Sequence, residues 1–322
     1  MCARRPNDSR SATMKRRYVT ADVFTDQMFG GNPLAVVLDA VGLSTSQMQS
    51  LALEFNYSET TFVLPPDDPA NTARVRIFTP RTEVPFAGHP NVGTAFVLAS
   101  EVPFAAAAAT GIFVFEEAAG RVPLTLLREG GDVIGAELRA PESLSCRTIV
   151  SREVAAACLS LDARDIATEV HAPQIISVGL PFLVVELVSR DALRRSKPNI
   201  AAHAELLPLD GADAIFAYAH ARDQPCASGE AVLHARTFSP LDGIVEDPAT
   251  GSACAATIAL LATLERDART LRNWRVHQGV DMGRPSLLAG RTRSRDSQVT
   301  ETYIGGRCVA VLNGTLTLAG EE

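Results

Sequence analysis

The 322-residue sequence has no CxxC pair and no HExxH pattern, and its six cysteines, at 2, 146, 158, 226, 254 and 308, stand far apart. That usage fits free thiols in a reducing compartment, not a disulfide framework or a zinc cluster. His89, His171, His203, His220, His234 and His277 are equally dispersed. The expectation is a protein with no resident metal or cofactor. No apolar run approaches the ~18 residues of a membrane span; the strongest, Phe104 to Thr110, is a short Ala tract. Positive charge is also short, with 30 Lys and Arg against 37 Asp and Glu for a formal charge of −7. Nucleic acid and anionic membranes are bound through clustered positive charge, so neither is an expected partner. The start, MCARRPNDSRSATMKRR, is basic but lacks the apolar segment of a secretory signal. Residues 1–16 read as a disordered extension, with Met14 as an alternative start, and the expected location is cytoplasmic.

What is present is a chain that contains itself twice. Gly31-Asn32-Pro33-Leu34-Ala35-Val36-Val37-Leu38 has a partner in Gly179-Leu180-Pro181-Phe182-Leu183-Val184-Val185-Glu186, at an offset of 148. Arg76-Ile77-Phe78-Thr79-Pro80 is echoed by Arg236-Thr237-Phe238-Ser239-Pro240, at an offset of 160. Each copy runs on into a small, Gly-containing helix start, at Phe86 to Ala95 and at Glu246 to Ala255. Two matches in one order predict two similar α/β halves, 17–145 and 146–322.

Apolar and alternating runs predict strands at Tyr18 to Phe24, Leu34 to Leu38, Thr61 to Leu64, Val75 to Phe78, Ile112 to Phe115, Val122 to Leu127 and Val133 to Arg139. Helices are expected at Ser44 to Phe55, with Ser44 and Gln47 forming a capping box, and at His89 to Ala99, Ser151 to Leu159 and Ser252 to Glu265. Strands at Val309 to Leu312 and Thr315 to Leu318 flank an Asn313-Gly314 hairpin signal. The picture is one long central helix per half, wrapped by strands.

A helix start with Gly in its first turn presents unpaired N–H groups and partial positive charge, which together hold an anion. Two such starts, related by a pseudo-two-fold axis, would face one interdomain cleft and bind a carboxylate without Lys or Arg. Beside them stand His89 and Asp247. Glu246 reads as a solvated acid of the helix's first turn. Glu59 enters an otherwise apolar, β-prone stretch; it is either a turn residue or a desolvated carboxyl raised toward the working range of a general acid/base.

The runs DVFTDQMFGGNPLAVVLD (22–39), EFNYSETTFVLPP (54–66), RIFTPRTEVPFAGHPNVGTA (76–95), RTFSPLDGIVEDPATGSACAA (236–256) and QGVDMGRPS (278–286) resemble the phenazine-biosynthesis PhzF family, of the diaminopimelate epimerase-like fold. The resemblance runs from about Tyr18 to Leu318. It implies two similar halves, each a curved mixed sheet around a central helix, with the active site between them. It also implies a homodimer and a cofactor-independent isomerase resembling trans-2,3-dihydro-3-hydroxyanthranilate isomerase, acting on a small carboxylate-bearing substrate. Glu59 would shuttle the proton, His89 and Asp247 would hold or polarise polar substituents, and Gly88, Gly251 and Ser252 would bind substrate. Relatives that racemise amino acids oppose two Cys at the helix starts, where this chain has Ala87 and Pro248; Cys254 reads as core. An amino-acid or hydroxy-acid racemase, epimerase or dehydratase is the alternative, or a ligand-binding member without turnover. Gln278, Gly283 and Arg284 line the cleft or form a turn, and are left outside the site.

Overall fold

The computed structural model describes residues 13–221, 230–264, 271–296 and 298–319. Cys2, Cys226, Glu265 and residues 1–12 of the expected extension lie outside the described residues. The first half contains β1 (Thr13–Val23), β2 (Asn32–Val37), α1 (Thr45–Phe55), β3 (Glu59–Leu64), β4 (Ala73–Phe78), β5 (Glu83–Val84), α2 (Gly88–Ala99), α3 (Ala105–Thr110), β6 (Ile112–Glu117), β7 (Gly120–Glu129) and β8 (Asp132–Arg139). The second contains β9 (Ser145–Ile149), α4 (Arg152–Cys158), β10 (Gln174–Ser177), β11 (Pro181–Glu186), α5 (Arg190–Arg195), α6 (Ile200–Leu206), β12 (Ile215–His220), β13 (Ala231–Ser239), β14 (Ile244–Asp247), α7 (Gly251–Leu264), β15 (Leu271–Gln278), β16 (Ser286–Arg295) and β17 (Gln298–Ala319).

The internal repeat of the sequence is a repeat of strand ladders. β2 pairs parallel with β3, β3 antiparallel with β4, β4 parallel with β6, and β6 antiparallel with β7. The second half pairs β11 with β12, β12 with β13, β13 with β15, and β15 with β16 in the same four senses. In the first half β8 pairs with β17 and β17 with β1, which closes a barrel around α2. The mixed sheet of the second half packs around α7 through β10, β11, β15, β16 and β17. Both central helices are buried on almost every side, as a helix surrounded by protein is. Small residues let strands approach them: a Cβ on Gly93 would stand 2.6 Å from both Leu34 and Val23.

α1 starts at the expected capping box, Ser44 accepting from the Gln47 N–H and Gln47 accepting from the Ser44 N–H. Two expectations need correction. Residues 13–16 are not part of a disordered extension: they are the first rungs of β1, opposite Ala319 to Leu316. Asn313-Gly314 is not a hairpin turn, because β17 runs straight through it, with Gly314 opposite Tyr18. A Cβ there would stand 2.7 Å from the Tyr18 ring, so this glycine makes room for an aromatic. The Ala tract forms the short helix α3. β17 belongs to both sheets, pairing with β16 over 298–305, with β8 over 303–307 and with β1 over 308–319. Among the described residues no single helix is long and apolar enough to cross a membrane.

Candidate active site

Glu59, Gly88, His89, Asp247, Gly251 and Ser252 line one cavity of about 270 Å³ between the halves. The repeat brings the two helix starts together: a Cβ on Gly88 would lie 3.5 Å from the Ser252 nitrogen and 3.8 Å from Gly251. No side chain caps α2 at Ala87, so its first N–H groups are left for a ligand.

One residue outside the predicted set ties the site together. Asn32 opens β2 and is fully buried. Its amide nitrogen donates to Asp247 Oδ1 at 2.8 Å and the Ala249 carbonyl at 2.9 Å, and lies 3.3 Å from His89 Nδ1. Its oxygen accepts from the Ser58 hydroxyl at 2.8 Å. An amide nitrogen cannot accept a hydrogen bond, so its contact with Nδ1 suits the tautomer that carries the imidazole proton on Nε2. His89 Nε2 then points at Glu59 Oε2, 3.6 Å away. Neither atom has a hydrogen-bond partner among the described residues.

Burial raises the Glu59 carboxyl to about 8, reinforced by the Asp247 charge and opposed by a hydrogen bond from Ser58. Burial likewise lowers His89 to about 3. Asp247 is raised to about 6 by burial, with bonds from Thr250 and Asn32 opposing and the Glu246 charge adding. At neutral pH the site therefore holds a protonated Glu59, a neutral His89 and an ionised Asp247.

Asp247 is anchored from the second half. The Thr250 hydroxyl donates to Oδ2, and Gln278 Nε2 donates to the Asp247 carbonyl at 2.8 Å. Gln278 also reaches Thr250 and Thr237 and accepts the Thr250 N–H at 3.1 Å. Arg284 Nε donates to the Gly31 carbonyl, and its Nη2 donates to the Gly30 carbonyl and Asp22, clamping the loop that delivers Asn32. Gln278 and Arg284, read as outside the site, are thus its supports, whereas Gly283 is in a turn with open space around it. Glu246 is not a solvated first-turn acid. It lies on β14, pairing with Arg236 through both oxygens, at 2.8 and 2.7 Å. Cys254 is buried core, its thiol pushed well above the ordinary value.

The working residues are where the repeat breaks. Thr60 pairs with Phe78 as Ile215 pairs with Phe238, so Ala214 occupies the counterpart of Glu59. Ile77 pairs with Val84 as Thr237 pairs with Asp247, so Val84 is the counterpart of Asp247. Leu180 replaces Asn32. Glu59 and Asp247 therefore face the cavity without a carboxyl at the counterpart position of the other half.

The family described as "Phenazine biosynthesis-like protein" (PhzC-PhzF) matches residues 21–314. The chain belongs to this family. PhzC-PhzF relatives include an uncharacterized isomerase of Mesorhizobium japonicum, 38% identical over 304 residues, covering 94% of this chain and 98% of that protein. The trans-2,3-dihydro-3-hydroxyanthranilate isomerase of Pseudomonas chlororaphis is 34% identical over 305 residues, covering 94% and 99%. The crystal structure of a PhzF-family protein of Bacillus anthracis superposes with a TM-score of 0.81 at 24% identity, covering 95% of this chain and all of that one. The fold is that of the PhzF and diaminopimelate epimerase-like proteins.

Proposed function

We propose that the protein is a cofactor-independent isomerase that moves a proton on a small carboxylate-bearing substrate, with Glu59 as the single carrier. The observation behind this reading is a carboxyl raised to about 8 with a methyl group, Ala214, at its symmetry counterpart. A pKa near the operating pH suits a group that must both take and return a proton. About one tenth of Glu59 is ionised at pH 7, enough to begin by abstraction. The ionised carboxylate takes a proton from an acidic C–H, the electron pair moves into the conjugated substrate, and the carboxyl returns the proton to another carbon on the same face. The helix starts at Gly88 and Gly251–Ser252 hold the substrate carboxylate and developing charge through N–H groups. His89 Nε2–H donates to a substituent oxygen, and ionised Asp247 accepts from a substituent N–H or O–H.

An amino-acid racemase needs an acceptor and a donor on opposite faces. Ala214, Ala87 and Pro248 offer neither, and that reading would set Asp247 against Glu59 as the opposing base. Incubation in deuterated water with trans-2,3-dihydro-3-hydroxyanthranilate and a panel of cyclic carboxylates, followed by mass and chiral analysis, tests the proposal. Isomerised product with sub-stoichiometric deuterium supports one carrier. Full deuterium at an inverted centre would show two opposed bases.

A further inference from the structure

The rule that working residues sit where the repeat breaks marks one more position. The repeated runs continue as Thr79-Pro80-Arg81 and Ser239-Pro240-Leu241, so Arg81 and Leu241 are counterparts. They touch: Arg81 Nη1 donates to the Leu241 carbonyl at 3.1 Å, across the opening between the halves. Among the residues lining the cavity Arg81 is the sole Lys or Arg, against the acids Glu59, Asp213 and Asp247. It is exposed where Gly88 and His89 are buried, and so stands at the solvent end of the cavity. The opposite turn is shaped around it. Gly243 has φ +86, and a Cβ there would come within 2.8 Å of Arg81 Nη2.

A guanidinium held by one nitrogen, with its neighbour laid over a glycine, keeps donors for a planar anion. The helix starts already hold one carboxylate without a cation, so Arg81 is not required there. We infer that Arg81 forms a distal subsite, and that the substrate carries a second anionic group, a carboxylate, on the end facing the cleft mouth. The inference rests on the reading of the helix starts as the first carboxylate's cradle. It narrows the substrate class from small carboxylates to compact dicarboxylates.

Calorimetric titration of the full chain with cyclohexanecarboxylate and cis-cyclohexane-1,3-dicarboxylate tests it. The wild type is expected to bind the dicarboxylate about tenfold more tightly, a preference that shrinks as salt is raised. Arg81→Gln should abolish the preference while leaving the monocarboxylate within about twofold, and Arg81→Lys should keep part of it. Gly243→Ala, which displaces the guanidinium, should act like Arg81→Gln. Equal binding of both probes by the wild type overturns the subsite and leaves the cradle standing. An equal loss for both probes in Arg81→Gln makes the residue a structural latch and also overturns it. No binding of either probe to the wild type removes the cradle and the subsite together.

Discussion

His89 Nε2 faces Glu59 Oε2 across 3.6 Å, and both groups are uncharged at neutral pH, the imidazole because burial lowers it and the carboxyl because burial raises it. The contact is a poised proton donor beside a poised proton carrier, not an ion pair.

Glu59→Gln keeps the shape and removes the carrier. Turnover on a confirmed substrate should fall about 10²–10⁴-fold, while carboxylate affinity measured by calorimetry stays within a few-fold. Near-normal turnover in this variant would assign the proton transfer to another group.

The same carboxyl makes stability depend on pH. With a folded value of about 8 against 4.5 for the free group, the folded state holds a proton that the unfolded chain has released between those values. Its contribution to stability is fullest below pH 4.5 and is lost as pH rises through 8. Asp247, raised to about 6, acts in the same direction between 3.8 and 6. His89, lowered to about 3, opposes them, because its contribution is lost as pH falls from 6.5 to 3. Glu59→Gln should therefore gain stability over the wild type as pH rises from 5 to 8.5, by a few °C in Tm. A difference in melting temperature that is flat with pH would contradict the raised carboxyl.

Gly88→Ala should fold normally, since the nearest heavy atom to the added methyl is an ordinary 3.5 Å away. That atom is the Ser252 nitrogen, so the methyl fills the space between the helix starts. Carboxylate binding should weaken at least about tenfold by calorimetry with an unchanged circular dichroism spectrum; unchanged affinity would place the anion elsewhere.

Arg284→Met removes the clamp on Gly30 and Gly31 and leaves Asp22, whose side chain is 5% exposed, without its cation. Urea unfolding should show a loss of about 2–4 kcal/mol. Asn32 loosens with the loop, so Asp247 should titrate higher than in the wild type, because the Asn32 bond is among those holding it down. Loss of stability with an unmoved Asp247 would make Arg284 a scaffold residue only.

Sequence periodicity and internal repeats carried most of the fold, because the ladders of the two halves repeat with their Pro turns and helix starts. Long-range partners were invisible to it. Gly314 reads locally as a turn residue and is instead a seat for the Tyr18 ring, and Glu246 reads as a helix-start acid but finds Arg236 across the sheet. Glu59, His89 and Asp247 were legible as titratable groups near special backbone. Asn32 was passed over because it sits inside a β-rich run, although its replacement by Leu180 in the second copy was the available signal. Gln278 acts on Asp247, 31 residues away, and Arg284 on Asp22, 262 residues away, through hydrogen bonds that no local pattern encodes.

The central claim is that Glu59 carries a proton at neutral pH. Infrared difference spectroscopy on protein with isotope-labelled glutamate, with Glu59→Gln subtracted, reads the protonated carboxyl band directly as pH is varied. A band that persists at pH 7 and disappears with a midpoint near 8 is the predicted result. Complete ionisation by pH 6, with a midpoint near 4.5, would contradict it.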